Sequence, residues 1–404
     1  MKYMHYTRQI YRLTAVRSLM LAVFTAVLLL TVTNSCKTTK ALSSKNRIDS
    51  SLVFSPGGEY ASMRIPALVL TKKGTLLAFA EGRIGTASDW SEMDLLMKRS
   101  EDGGRTWGPA VVVAARKKGP TSNPTPIVDS DGTIHLLYQR DYANAYYTNS
   151  KDDGKTWSEH VDITYAFEAF KPEYDWKVLA PGPGHSIQLK NGRLLVPVWL
   201  SDPDRLVPHR SHGPSCVATI YSDDLGKTWK RGDIVANNSP EIKSPNESMV
   251  AQLEDGRVMI SMRSPSAARL KAVSFSPDGA GNWTKPVFDD ELFEPVCMSS
   301  IIKVPQGSKN GKTMLLFSNP DSRHIPKNPR KNLTVKLSYD GGENWPVQKV
   351  INQGPSGYSD LAVGPDGTVY CLYETNTVGT GWNYSLMLKK FKLDMLTKNK
   401  PIRE

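Results

Sequence analysis

The chain has 404 residues, with 51 lysines and arginines against 40 aspartates and glutamates, a formal net charge of +11. At 39% hydrophobic and 23% charged, its composition excludes collagen-like order and wholesale disorder, and a chain this long needs no disulfide staples to fold. So positive a balance suggests nucleic acid or a membrane surface, but residues 1–47 hold eight basic and no acidic groups, leaving 43 basic against 40 acidic in the remainder.

The first element in chain order is an export signal over residues 1–35. A basic segment ends at Arg17, the apolar run Leu19–Leu30 follows, and small or polar residues lead to Cys36. The run is shorter than the roughly 20 residues of a membrane span, with an uncleaved anchor as the alternative. Thr33-Asn34-Ser35-Cys36 resembles a bacterial lipoprotein cleavage site, although Thr33 stands where leucine is usual and Asn34 is polar. The expectation is a signal peptide of lipoprotein type, a lipid on Cys36 as the sole membrane contact, and an exported protein anchored at a bacterial membrane or otherwise secreted. Residues 36–50 read as a polar tether. Four cysteines, Cys36, Cys216, Cys297 and Cys371, are too few for a disulfide framework.

From residue 51 onward the chain is built of repeats. Tight-turn glycines lead into apolar strands at Gly74, Gly132, Gly192, Gly256, Gly311 and Gly367, with spacings of 58, 60, 64, 55 and 56 residues. Short strand signals such as Ala67–Leu70, Thr125–Val128 and Ser300–Val304 precede them, so each glycine marks a hairpin. A second pattern, Ser-x-Asp-x-Gly-x-Thr-Trp, occurs at Ser100–Trp107, Ser150–Trp157 and Ser222–Trp229, with Asn344 replacing threonine in Ser338–Trp345 and a degenerate copy at Ser276–Trp283. Its aspartate can accept backbone N–H groups within a turn, its glycine can take positive φ, and its tryptophan plugs the turn. Long amphipathic helices are absent. Six small antiparallel units pack best radially, which protects their strand edges. The predicted fold is all-β, a six-bladed β-propeller of four-stranded antiparallel blades over residues 51–396, with 397–404 as a tail. The last unit lacks a box, as expected if the chain ends close the ring.

Repeat register places residues on the axis. Arg64 lies 10 residues before Gly74, while Glu247 and Tyr358 lie 9 before Gly256 and Gly367. Counting forward, Arg83 is 9 after Gly74, Arg140 is 8 after Gly132 and Arg263 is 7 after Gly256. Converging arginines read as a carboxylate or phosphate clamp; the alternative is that each pairs with a local acid. Tyr373-Glu374 also faces the axis, with packing and support of Tyr358 as its two readings, and His185 reads as a hydrogen-bonded structural histidine. No HExxH, CxxC or Asp-rich calcium loop occurs, and His209–His212 is too short a cluster for zinc, so neither metal nor cofactor is expected.

Arg64-Ile65-Pro66, followed by five Ser-Asp-Gly-Trp boxes, resembles the exo-α-sialidases (neuraminidases) of bacteria and animals, from about Ser51 to Lys392. The resemblance implies that Arg64, Arg263 and Arg330 bind the sialic acid carboxylate, that Asp89 is the acid/base, that Tyr358 is the nucleophile with Glu247 as its base, and that Arg83 contacts a substrate hydroxyl. It implies sialylated glycans as partners, and nothing points to nucleic acid. For the N-acetyl pocket, Trp90, Met93 and Asp94 are candidates by position alone. The alternatives are a catalytically silent sialic-acid-binding propeller, and an enzyme that transfers the sugar or releases an anhydro product.

Overall fold

The computed structural model describes residues 47–309, 311–376 and 384–397. The signal, Cys36 and tether residues 36–46 lie outside the described residues, as does most of the tail. Six antiparallel sheets follow one another along the chain and form the six blades of a β-propeller. Blade one comprises β2 to β5 (Tyr60–Leu70, Leu76–Ile84, Met93–Ser100 and Val111–Ala114). Blade two comprises β6 to β9 (Thr121–Val128, Ile134–Arg140, Asn144–Ser150 and Val161–Asp162). Blade three differs from the four-stranded expectation, because its innermost strand is split into β10 (Val178–Pro181) and β11 (Ile187–Gln188), both pairing with β12 (Leu194–Ser201). Blade four runs from β15 (Ser248–Gln252) through β16 (Val258–Met262) and β17 (Leu270–Ser276) to β18 (Val287–Phe293), and blade five from β19 (Ser300–Lys309) through β20 (Lys312–Pro320) to β21 (Lys331–Ser338) and β22 (Val347–Pro355). Blade six joins β23 (Ser359–Val363), β24 (Thr368–Thr375) and β25 (Ser385–Lys392) to the first strand, β1 (Asp49–Phe54). The two chain ends therefore close the ring, and β1 takes up the last two residues assigned to the tether.

Second strands such as β3 and β12 are buried along nearly their whole length, which explains their continuous apolar sequences, Leu76-Leu77-Ala78-Phe79-Ala80 and Leu194-Leu195-Val196. The boxes form the turns between third and fourth strands. In the first, Asp102 accepts the amides of Arg105 and Thr106 at 3.0 Å each and the Thr106 hydroxyl at 2.7 Å. The box glycines sit against the preceding blade: a Cβ on Gly104 would lie 2.3 Å from Leu388, one on Gly154 3.0 Å from Leu77, and one on Gly279 2.4 Å from Leu195. These turns thus lie in the seams between blades, and a side chain at those positions would require the facing leucine to shift and a left-handed backbone that only glycine adopts freely.

One carboxylate ties four blades together at the axis. Asp360, fully buried, accepts the amides of Leu68 and His185 at 2.8 Å each, the Ser300 hydroxyl at 2.9 Å and the Leu361 amide at 3.0 Å, with His185 Nδ1 at 2.6 Å. Replacing it with alanine leaves these donors unpaired inside the protein. We expect Asp360→Ala to lower unfolding stability by about 3 kcal/mol or more. Denaturant unfolding with an unchanged slope would report this, and a loss below about 1 kcal/mol would show that the clasp is dispensable.

Candidate active site

The hairpin register sets one cross-strand pair at the axial end of each blade. The pairs are Arg64 with Glu81, Ser122 with Gln139, Ala180 with Trp199 and Ser300 with Ser318. In blade four the Arg263 amide donates to the Glu247 carbonyl at 3.0 Å, and in blade six the Glu374 amide donates to the Tyr358 carbonyl at 2.9 Å. Glu81, Gln139, Trp199, Arg263, Ser318 and Glu374 all lie seven residues after their hairpin glycines. Side chains alternate between faces with period two, so positions seven and eight lie on opposite faces, and Glu81, Trp199 and Arg263 at position seven line the pocket over the axis. This corrects the placement of Arg140. At position eight its guanidinium lies over the rings of Tyr146 and Tyr138, 4.9 and 5.7 Å from their centroids, and it does not line the pocket.

The pocket over the axis has a volume of about 590 Å³, and its lining includes Arg64, Arg83, Asp89, Glu247, Arg263, Arg330 and Tyr358. All seven candidate site residues therefore meet in one cavity. Tyr358 stands at its centre. The Tyr358 hydroxyl donates to Glu247 Oε1 at 2.6 Å and accepts from Arg263 Nη1 at 2.9 Å. The guanidinium carbons of Arg64, Arg330 and Arg263 lie 5.3, 5.4 and 5.9 Å from its ring centroid. Burial raises the Tyr358 hydroxyl well above its ordinary pKa; Arg263 opposes the rise and Glu247 adds to it, so the resting group is a neutral phenol.

Each arginine is held differently. Glu374 accepts Arg64 Nε and Nη2 at 3.0 and 3.2 Å, and also receives the amides of Ile65 and Tyr358 at 3.0 and 3.1 Å. One buried carboxylate therefore fixes both Arg64 and the backbone of Tyr358. Ile65 is held at φ +55°, a left-handed conformation that is strained for a β-branched residue, within a bulge of β2 between Arg64 and Ala67. Arg263 pairs with Glu247. Arg330 donates to the Val296 carbonyl and, unlike the other three site arginines, makes no close ion pair among the described residues, although its charge helps to hold Glu374 ionised.

Asp89 lies on the opposite wall, with its side chain 44% exposed. Arg83 Nη1 donates to it at 2.7 Å and Arg64 Nη1 at 3.4 Å. Burial pushes the Asp89 carboxyl up, but the guanidinium groups of Arg83 and Arg64 outweigh it and hold the carboxyl below the usual carboxylate range. Arg83 is also bound by Glu81, at 3.0 Å from Nε and 2.7 Å from Nη2, and is almost wholly buried. The local-acid pairing thus holds for Arg64, Arg83 and Arg263: Glu81 and Asp89, the two acids near Arg83 in sequence, both bind it, and Glu374 binds Arg64.

A profile for the BNR repeat-like domain matches residues 74–371. A sialidase of Micromonospora viridifaciens is 33% identical over 361 residues, covering 81% of this chain and 51% of the relative. Sialidase-2 of Cricetulus griseus is 31% identical over 359 residues, covering 79% and 90%. The solved structure of the Hadza microbial sialidase Hz136 superposes with a TM-score of 0.69 at 29% identity, covering 84% of this chain and 67% of that one. The chain belongs to the BNR-repeat sialidase family. It spans about half the length of the Micromonospora relative.

Within this sialidase fold, two of the positional candidates for an apolar subsite point elsewhere. Asp94 is buried behind the site, where it accepts the Tyr60 hydroxyl at 2.7 Å and the Arg116 amide at 2.6 Å, and Met93 is fully buried without lining the pocket. The aromatic wall comes instead from Tyr142, Trp199 and His212, with Tyr142 and His212 centroids 4.7 Å apart and Trp199 and His212 5.3 Å apart. Trp90 packs on Tyr142 at 4.9 Å and stacks on His209 at 5.2 Å. Trp199 carried a usable signal, its place seven residues after Gly192. Tyr142 and His212 arrive on loops and carried none.

Proposed function

We propose that this chain is a retaining exo-α-sialidase, which releases terminal α-linked sialic acid from glycoproteins, glycolipids or oligosaccharides through a covalent tyrosyl intermediate. The observation that carries the reading is the Tyr358–Glu247 hydrogen bond of 2.6 Å inside a ring of three arginines. Sialic acid bears a carboxylate on its anomeric carbon, so a carboxylate nucleophile would approach against like charge, whereas a phenol does not. A phenol with a pKa of about 10 or above needs a base to become nucleophilic, and Glu247 is within reach of its proton. Arg64, Arg263 and Arg330 would bind the carboxylate and hold it in place through both displacements. Asp89 would protonate the departing glycosidic oxygen and later deprotonate the attacking water. Arg83 would offer a hydroxyl contact while keeping Asp89 in place.

Two displacements at one carbon give net retention. The reading is tested by proton NMR of an aryl sialoside digest together with labelling by a 2,3-difluoro sialic acid. The α-anomer should appear first, and the label should reside on the Tyr358 peptide. A first-formed β-anomer or a label elsewhere would contradict the mechanism, and a 2,7-anhydro product would favour internal transfer over hydrolysis.

The exported and lipid-anchored state remains part of the proposal. It is carried by the basic segment, the apolar run and Cys36. Among the described residues, no helix is long and apolar enough to cross a membrane.

A further inference from the structure

Outside the pocket, blade four contains an ion pair that the mechanism does not use. Lys271 on β17 and Glu294, just after β18, are both fully buried, with Lys271 Nζ 2.6 Å from Glu294 Oε2. Removing two charges from water is costly, and apolar residues of similar size would often be at least as stabilising. The pair is therefore poorly explained as a stability device, and what it touches suggests another role.

The same two side chains fix the loop between β18 and β19. Lys271 Nζ donates to the Cys297 carbonyl at 2.7 Å, the Cys297 amide donates to Glu294 Oε1 at 2.8 Å, and the Glu294 amide donates to the Arg269 carbonyl at 2.8 Å. Between the two pinned residues, Val296 is held at φ +58°, a strained conformation for a β-branched side chain. Its carbonyl is the group that receives Arg330. Glu294 Oε2 also accepts the Ser264 amide at 3.4 Å, directly after Arg263 in the chain. One buried carboxylate thus touches the backbone behind Arg263 and braces the carbonyl that holds Arg330.

We propose that the Lys271–Glu294 pair is a positioning element for the carboxylate clamp, setting Arg263 and Arg330 against Arg64. It plays for two arms of the clamp the part that Glu374 plays for the third. The proposal deepens the sialidase reading and rests on it. An arginine donates along fixed directions, so a small shift of the Val296 carbonyl would misalign Arg330 with the substrate carboxylate. The affected quantity is binding of that carboxylate, in ground and transition states alike, which appears in KM and not in kcat.

The test compares Glu294→Gln, Lys271→Met and the double variant Lys271→Met/Glu294→Met, which leaves no unpaired buried charge. For each, thermal unfolding is measured, along with KM and kcat on an aryl sialoside and inhibition by 2-deoxy-2,3-dehydro-N-acetylneuraminic acid and by its C1 methyl ester. We expect the double variant to remain folded, with KM raised about tenfold, kcat within about threefold of the parent, and the preference for acid over ester reduced about tenfold. A folded double variant with parental KM and an unchanged acid-to-ester ratio would overturn the proposal and leave the pair a packing feature. If the double variant fails to fold, Glu294→Gln supplies the same ratio and decides the matter in the same way. A parent protein that neither cleaves sialosides nor binds the inhibitor would overturn the sialidase reading, and this proposal with it.

Discussion

Replacing Tyr358 with phenylalanine is expected to lower kcat on an aryl sialoside by about a thousandfold or more, with KM changed less than about threefold. The substitution keeps the ring, which sits 5.3 to 5.9 Å from three guanidinium groups, and removes only the oxygen. Binding should therefore survive while covalent chemistry stops. Glu247 keeps its ion pair with Arg263, so no charge is orphaned and folding should be retained. Steady-state kinetics and binding of a sialic acid analogue to the same sample check this. The pairing of measurements separates an enzyme from a silent sialic-acid-binding propeller: a silent propeller would show binding without turnover already in the parent. Turnover by the phenylalanine variant within about tenfold of the parent would falsify the assignment of the nucleophile.

Much of this arrangement was legible because a propeller repeats its geometry. Six glycines at spacings of 55 to 64 residues report six hairpins, and counting back from three of them places Arg64, Glu247 and Tyr358 around one axis. The same counting put Arg140 on the axis, because residue distance was used without strand parity. An offset of eight reverses the face that an offset of seven presents. Corrected for parity, the register singles out Glu81, Trp199 and Glu374; sequence proximity already offers Glu81 as a partner for Arg83, while for Glu374 the sequence leaves support of Tyr358 and packing equally open. Its role emerged from the bonds it makes to Arg64 and to the amides of Ile65 and Tyr358. Glu294 and Val296 follow no repeat at all. They act through a loop whose path depends on a buried ion pair between distant residues, and no periodicity records that. The loops carrying Tyr142 and His212 are hidden for the same reason.

The electrostatics of Asp89 lead to a second large effect. Burial raises this carboxyl, but Arg83 and Arg64 prevail and keep it ionised, which is the wrong state for an acid. A substrate carboxylate bound to Arg64 would neutralise that guanidinium and bring a further negative charge nearby. Both changes favour the protonated form, so the substrate would raise the pKa of the acid that cleaves it. The basic limb of kcat, which reports the complex, should then lie at higher pH than that of kcat/KM, which reports the free enzyme. Coincident limbs would mean that binding does not retune Asp89. Asp89→Asn removes both proton-transfer roles. We expect a loss of about 10² to 10⁴ in kcat/KM on a natural sialoside, whose leaving alcohol needs the proton. With an activated aryl sialoside the first displacement should proceed at a rate within about tenfold of the parent. Hydrolysis of the tyrosyl intermediate would then lack its base, so rapid mixing should reveal a burst of phenol equal to the enzyme present, followed by slow turnover. Equal losses on the two substrates, with no burst, would place the acid elsewhere and leave Asp89 as a partner that only orients Arg83 and Arg64.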